Sequence, residues 1–412
     1  MSPLYADRVL DQLEAKSDSL QESQESIAEH VRLLLDRVQP EFTNLTVQDI
    51  DAILAAIDPD GRFGARPTSE QEEKPFIVPF QPGCLWTDHQ STRAWAADVL
   101  TGVTTYAVDG SMIYPDSNFS VPIGLVQIGW FQNDHTPDGD YVKDVAVEIL
   151  SAADWSNVAG TAQEEQTADK TLRQQDAETS WRRYKGEVQQ AIKFMQANAG
   201  RQAVVFLDGT LTISFVRGMV GPYQQDYHRQ INELMAVSER TRIPVVGYVD
   251  ASRAVDFVTL LWTYHLKLKL SSDTVRSRQV TDAGLLRSQM VWGERCRTYI
   301  CNRDDDIATN AYYDQICFTY LKTTGHNPPA RLEIPRWVFE DAGLYEWVLD
   351  IVRAECIVGL GYPYALETAD AVAVLTGQDR ERFYRLFQEF AGEKNIEVRL
   401  SRKSTSKRGR RV

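Results

Sequence analysis

Long apolar runs are missing from this chain. Nothing approaches the ~18 residues that a bilayer-spanning helix requires, which excludes an integral membrane protein of the helical kind. Cysteine is scarce. The five residues (Cys84, Cys296, Cys301, Cys317, Cys356) are odd in number and contain no CxxC pair, which argues against a disulfide framework and against a thiolate zinc site. The amino-terminal MSPLYADRVLDQLEAK lacks the basic-then-apolar pattern of a secretory leader, so the expected location is the cytoplasm. Positive charge is in deficit: 44 Lys and Arg against 58 Asp and Glu give a net charge of −14. Such a chain does not coat nucleic acid by bulk charge. The deficit is uneven, because SRKSTSKRGRRV at 401–412 carries Arg402, Lys403, Lys407, Arg408, Arg410 and Arg411 and no acid. A basic tail on an acidic body points to a polyanionic partner as readily as to a solubilising tail.

What remains is ordinary for a globular protein, 43% apolar and 25% charged, and 412 residues allow two to four domains. Residues 1–60 read as helices, with Leu10, Leu13, Ile27, Val31, Leu34 and Leu35 at helical spacing. Residues 58–75 have the Gly, Pro and charge content of a linker. A short helix is expected over 92–99. Thr105–Val108 then reads as a strand ending in Asp109-Gly110-Ser111, followed by a hairpin of 121–131 and 141–149. A long polar helix over about 161–198 leads to AVVFL (203–207), a buried strand ending in Asp208-Gly209-Thr210. A helix over about 224–240 leads to IPVVGYV (243–249), ending in Asp250. A meander followed by alternating helices and strands predicts an α/β fold with a mixed sheet and crossover helices.

Three apolar strands thus end in aspartate: Asp109, Asp208 and Asp250. In open α/β sheets, ligands gather at the carboxyl ends of strands. Carboxylates converging there repel, and a divalent cation resolves the conflict, with oxygen ligands suiting Mg²⁺ and Mn²⁺. The competing explanation is that Asp-Gly is a common turn dipeptide. For the two Asp-Gly-Ser/Thr segments together the readings stand level.

The segments YAVDGS (106–111), AVVFLDGTL (203–211), VTDAGLL (280–286) with GER (293–295), and GYPYALETADAVAVL (361–375) resemble, in order, the motifs of the NurA nuclease family. The resemblance covers about residues 100–390. It implies an RNase H-like mixed five-stranded sheet core flanked by helices, with an N-terminal helical extension. The domains would be an extension and linker at 1–100, a nuclease domain at 101–395 and the basic tail at 396–412. The resemblance also implies a Mn²⁺- (or Mg²⁺-) dependent nuclease that degrades DNA 5′→3′ and cuts single strands. It would act on single- and double-stranded DNA ends as a homodimer with HerA, a hexameric ATPase, in end resection or repair.

Carried over position by position, the family's metal-binding and catalytic carboxylates fall on Asp109, Asp208 and a glutamate of the helix between them. Glu187 is chosen over Glu178 because it shares a face with Tyr184, Ala191 and Phe194, an otherwise apolar stripe. The family often places histidine as the last ligand. Here that position is Asp370, and none of the six histidines lies nearby. Aspartate can do the same ligand job. Asp250 is a further ligand or a cap for the helix that follows, the cap being preferred. Arg182 and Arg183, interleaved with Trp181 and Tyr184, can serve DNA contact, as can Tyr362 and Tyr364 around Pro363. Asp134, His135, Asp138 and Asp140 are expected to be a solvated loop. Two other classes stay open: an ATP-binding protein of actin or sugar-kinase type, which lacks its Gly-rich adenosine loop here, and a catalytically silent scaffold for a motor.

Overall fold

Thr104–Ile113 (β1), opening on the β-branched and aromatic run Thr104-Thr105-Tyr106, lies between an antiparallel and a parallel neighbour in a mixed sheet. The computed structural model describes residues 4–83, 86, 88–116, 119–156, 168–216, 222–303 and 312–399. Gly124–Asn133 (β2) pairs antiparallel with β1, and Tyr141–Leu150 (β3) antiparallel with β2. On its other side β1 pairs in parallel with Ala203–Asp208 (β4), which neighbours Val245–Val249 (β5). The order β3-β2-β1-β4-β5 is mixed, as expected, and is part of a larger sheet than the five strands expected.

The chain divides into two compact units, each discontinuous in sequence: Leu85–Gly247 with Asp341–Val412, and Met1–Cys84 with Tyr248–Glu340. The chain passes from one to the other within β5. In the first unit, helices α1 (His89–Leu100), α2 (Ala168–Ala197), α3 (Pro222–Thr241), α4 (Ala342–Val358), α5 (Tyr364–Ala373) and α6 (Gly377–Glu393) accompany the sheet. Helix α2 covers one face. The Phe194 ring stacks on Tyr106 at 4.0 Å, and Gly186 lets the helix approach Ile128, whose Cγ1 would lie 2.7 Å from a Cβ at 186. Helix α5 covers the other face, over Gly129. The backbone N–H of Leu375, just past its end, donates to Ser111 Oγ at 3.2 Å. In a strand successive residues alternate faces, so Gly110 looks toward α2 while Asp109 and Ser111 look toward α5.

The second unit carries an antiparallel run of Gly64–Pro67, Tyr299–Asn302, Ile316–Leu321 and Ala330–Pro335. Residues 58–75, expected to be a linker, contribute the first of these strands and the short helix Glu70–Glu73. Buried Glu70 explains why a polar stretch folds: both its oxygens accept from the fully buried Arg295, at 2.6 and 2.8 Å, and Thr298 N–H donates to Oε2 at 2.8 Å. Two motif segments are therefore structural here. Arg295, of the GER segment, is half of that ion pair. Asp282, of VTDAGLL, accepts from the N–H groups of Phe257 (3.1 Å) and Val258 (2.9 Å) at the start of the helix Asp256–Leu266. Leu34, Val38 and Phe42 of the N-terminal helices are buried in this unit, whereas Leu4, Tyr5, Leu10, Leu13 and Leu20 are exposed.

Candidate active site

The parallel pairing of β1 with β4 runs only from Thr104↔Ala203 to Val108↔Leu207. Strand β1 does not end at Asp109-Gly110, as the turn reading expected. It continues to Ile113, held by β2 in a register that sets Asp109 against Gly129. Asp208 is the last residue of β4 and is exposed. Gly209 follows with φ +126°, a backbone conformation that side chains disfavour, so this second Asp-Gly is a true turn. The two aspartates therefore stand at neighbouring strand positions for different backbone reasons.

Glu187 approaches from α2. A Cβ on Gly110 would lie 2.5 Å from Glu187 Oε1, so the carboxylate rests directly on the bare backbone beside Asp109. Its side chain is 15% exposed, and Arg183, one turn earlier, donates Nη1 to Oε1. Asp370 lies on an exposed position of the last turn of α5. That helix is seated by Gly129 and anchored at its start, where Ala365 N–H donates to the buried Glu355 Oε2 at 2.8 Å.

These carboxylates sense one another. Burial pushes the Asp109 carboxyl up to about 6, with Asp208 and Asp370 adding to the rise and the Gly110 N–H and Arg183 opposing it. Burial pushes Glu187 up to about 8 against the pull of Arg183, with Asp109 and Asp208 adding to the rise. Asp109 thus feels Asp208 and Asp370, and Glu187 feels Asp109 and Asp208. Among the described residues, however, no three His, Cys, Asp or Glu side chains form a ready-made metal cage. Arg183 is paired with this set through Glu187. Four oxygen-donor groups, two of them held above their ordinary acidity range, are a donor set that fits a hard divalent cation.

The other residues fall elsewhere. Glu178 is buried and accepts from Arg182 Nε at 2.6 Å, while Arg182 Nη1 reaches Glu148 at 2.7 Å, so Arg182 is committed to internal ion pairs. Tyr364 packs edge-on to Phe131, and its hydroxyl meets that of Tyr141 at 2.9 Å. Tyr362 is half-buried in the turn before α5. Asp250 does not cap the following helix, whose first N–H groups are taken by Asp282. The expected solvated loop is corrected at Asp134, which is buried and accepts from Thr104 (3.0 Å) and the Asp140 N–H (3.0 Å) while pairing with Arg201 (2.6 Å). The basic segment at 401–412 lies outside the described residues. Sequence reasoning missed Glu355 and Gly129. Glu355 carried the same signal as Glu187, a carboxylate on an apolar helix stripe (Val348, Ile351, Val352).

Carboxylates gathered at the carboxyl end of a parallel strand pair and the adjoining helices define an α/β protein with an acidic, oxygen-donor site. The NurA domain family matches residues 103–375, a span that contains all four carboxylates, and the chain belongs to that family. Membership supports a nuclease. A crystal structure of NurA with manganese is similar at 11% identity, TM-score 0.38, covering 89% of this chain and 98% of that one. A NurA structure bound to dAMP and manganese is similar at 12% identity, TM-score 0.36, covering 87% and 95%. The catalytic domain of human Endonuclease V is similar at 10% identity, TM-score 0.30, covering 75% and 97%. No curated protein matches the chain. Among the described residues no helix is long and apolar enough to cross a membrane.

Proposed function

We propose that this chain is a divalent-metal-dependent deoxyribonuclease whose site is Asp109, Glu187, Asp208 and Asp370. The observation that carries the reading is the parallel register that ends at Val108↔Leu207, which sets Asp109 and Asp208 at adjacent strand positions, with Glu187 Oε1 resting on the neighbouring Gly110 backbone. Bringing carboxylates together without a cation is costly, and Arg183 is paired with Glu187, the most buried of them. Mn²⁺ or Mg²⁺ held by these oxygens would supply Lewis-acid chemistry for phosphodiester hydrolysis. The chain's own part is positional. Strand β1 fixes Asp109 through its pairing with β2, the Gly209 turn presents Asp208 to solvent, and Glu355 and Gly129 seat the helix that carries Asp370.

The finer reading rests on family membership: 5′→3′ exonuclease and single-strand endonuclease activity, and end resection or repair as a homodimer with a HerA-type hexameric ATPase. The exposed apolar residues Leu4, Tyr5, Leu10 and Leu13 give the amino-terminal helix a face for such docking. Light scattering of the chain with and without the ATPase tests that part, and a non-interacting monomer at micromolar concentration counts against it. The site itself is tested with end-labelled single- and double-stranded DNA, in Mn²⁺ against EDTA. Asp109→Ala and Asp208→Ala are each expected to abolish cleavage while remaining folded. Near-wild-type cleavage by either folded variant would remove the carboxylate site.

A further inference from the structure

Two adjacent arginines of α2 have opposite surroundings. Arg182 is bound by Glu178 and Glu148 and lies 3.9 Å from Asp154. Arg183 points to the carboxylate cluster instead. Its Nη1 donates to Glu187 Oε1, its Nε is buried with no hydrogen-bond partner among the described residues, and its Cγ would lie 2.7 Å from a Cβ on Gly110. The stem therefore lies against the Asp109–Gly110 backbone, and the guanidinium charge acts on both Asp109 and Glu187. A surface i,i+4 pair is worth little. Here the acceptor is a mostly buried carboxylate with two further carboxylates acting on it, so the arginine is the cluster's counter-ion.

We propose that Arg183 is a built-in counter-ion of the carboxylate site, which competes with a divalent cation for Glu187 and, once displaced from it, offers its guanidinium to a substrate phosphate. The proposal rests on the metal-site reading above. Two features of the side chain support it. The guanidinium keeps its charge at any working pH, and its planar fork matches phosphate as well as carboxylate. The Nε, unpartnered among the described residues, leaves donor capacity that Glu187 does not use. Arg183 is thus a positioning residue in the resting protein and a phosphate contact in the loaded one.

The test is Mn²⁺ binding to the full chain without DNA, read from the electron paramagnetic resonance signal of free Mn²⁺. Arg183→Gln keeps a hydrogen-bonding group and removes the charge. It is expected to bind Mn²⁺ roughly tenfold tighter, the effect of one neighbouring charge. In cleavage assays the same variant should raise the KM for single-stranded DNA. Arg183→Lys, which keeps the charge, should stay within about twofold of wild type for Mn²⁺. Arg182→Gln should lower Tm and leave Mn²⁺ affinity unchanged. Unchanged or weaker Mn²⁺ binding by Arg183→Gln would overturn the proposal, as would equal tightening in Arg183→Lys. Asp208→Ala separates the two readings. If it leaves Mn²⁺ binding intact, the metal site itself is wrong. If it abolishes binding while Arg183→Gln does not tighten it, only the role of Arg183 fails.

Discussion

Gly129 connects the sheet to the helix that carries Asp370, and replacing it with alanine is a sharp perturbation. A Cβ at position 129 would lie 2.7 Å from Ala373 N, 2.9 Å from its Cα and 3.0 Å from its Cβ. All three atoms belong to the final turn of α5, so no flexible side-chain end can give way. Restoring an ordinary contact near 3.4 Å requires that turn to retreat by roughly 0.7 Å. Overpacking of this kind costs about 1–3 kcal/mol, equivalent to a fall in Tm of about 2–12 °C for a unit of this size. Asp370 lies in the same turn and moves with it. A ~1 Å misplacement of a reacting group costs on the order of 10²-fold, so Gly129→Ala should lose tens-fold in cleavage rate while still folded. Thermal melting and single-turnover DNA cleavage measure the two effects separately. Gly377→Ala is the control: nothing lies within 4 Å of its added Cβ at the start of α6, and it should stabilise by ~0.4–1 kcal/mol without touching the rate. An unchanged Tm would refute the packing argument. A lower Tm with an unchanged rate would refute the link from Gly129 to the site.

Two further predictions concern single residues. Asp370→Ala should cost much of the rate, Asp370→Asn should be intermediate, and Asp370→His should stay active with a shift toward Mn²⁺, since nitrogen suits that ion better than Mg²⁺; equal rates and metal preference across all three, in steady-state metal titrations, would exclude Asp370 from the site. Glu70→Ala strands a buried guanidinium and should cost about 3–5 kcal/mol by denaturant melting, more than the double replacement of Glu70 and Arg295 by methionine. Burial would raise the Glu70 carboxyl, but the Arg295 pairing outweighs it and holds the group below its ordinary value. Its stabilisation is therefore full above the unfolded carboxylate range near pH ~4.3 and is lost as pH falls through the lower folded value. Glu70→Gln should lack that part of the acid sensitivity, and an identical acid profile would contradict it.

The sheet was readable because its strands are locally unambiguous. AVVFL and IPVVGYV are short apolar runs bounded by turn residues, and the hairpin strands are rich in Val and Ile with partial alternation. The choice of Glu187 over Glu178 used a carboxylate's need for compensation among Tyr184, Ala191 and Phe194; the structure buries both, with Glu187 Oε1 against the Gly110 backbone and Glu178 paired with Arg182. Residues 58–75 were not readable. A Gly- and Glu-rich segment becomes a strand and a short helix that buries Glu70 and Gln71, where Arg295, more than 200 residues away, receives Glu70. Asp250 misled for a related reason: the cap that its position suggested is supplied by Asp282, at the start of the short helix Asp282–Leu286. Pattern reports local preference, and these outcomes were decided by partners that only the tertiary fold brings together.

The discontinuity of the first unit has a consequence for how the protein is made. Asp109, Glu187 and Asp208 are synthesised close together, but Asp370 is separated from Asp208 by 162 residues, among them the whole stretch Tyr248–Glu340 that belongs to the other unit. At about 5–20 residues per second, ribosomes deliver it roughly 8–32 s later. Through that interval β1, β2 and β4 can pair, yet α5 does not exist to cover the opposite face of the sheet, and the acidic cluster has only its first three members. If all four are needed, a nascent chain carries no competent nuclease, and whatever damage an unpartnered nuclease does in a cell is deferred until the last helices are in place.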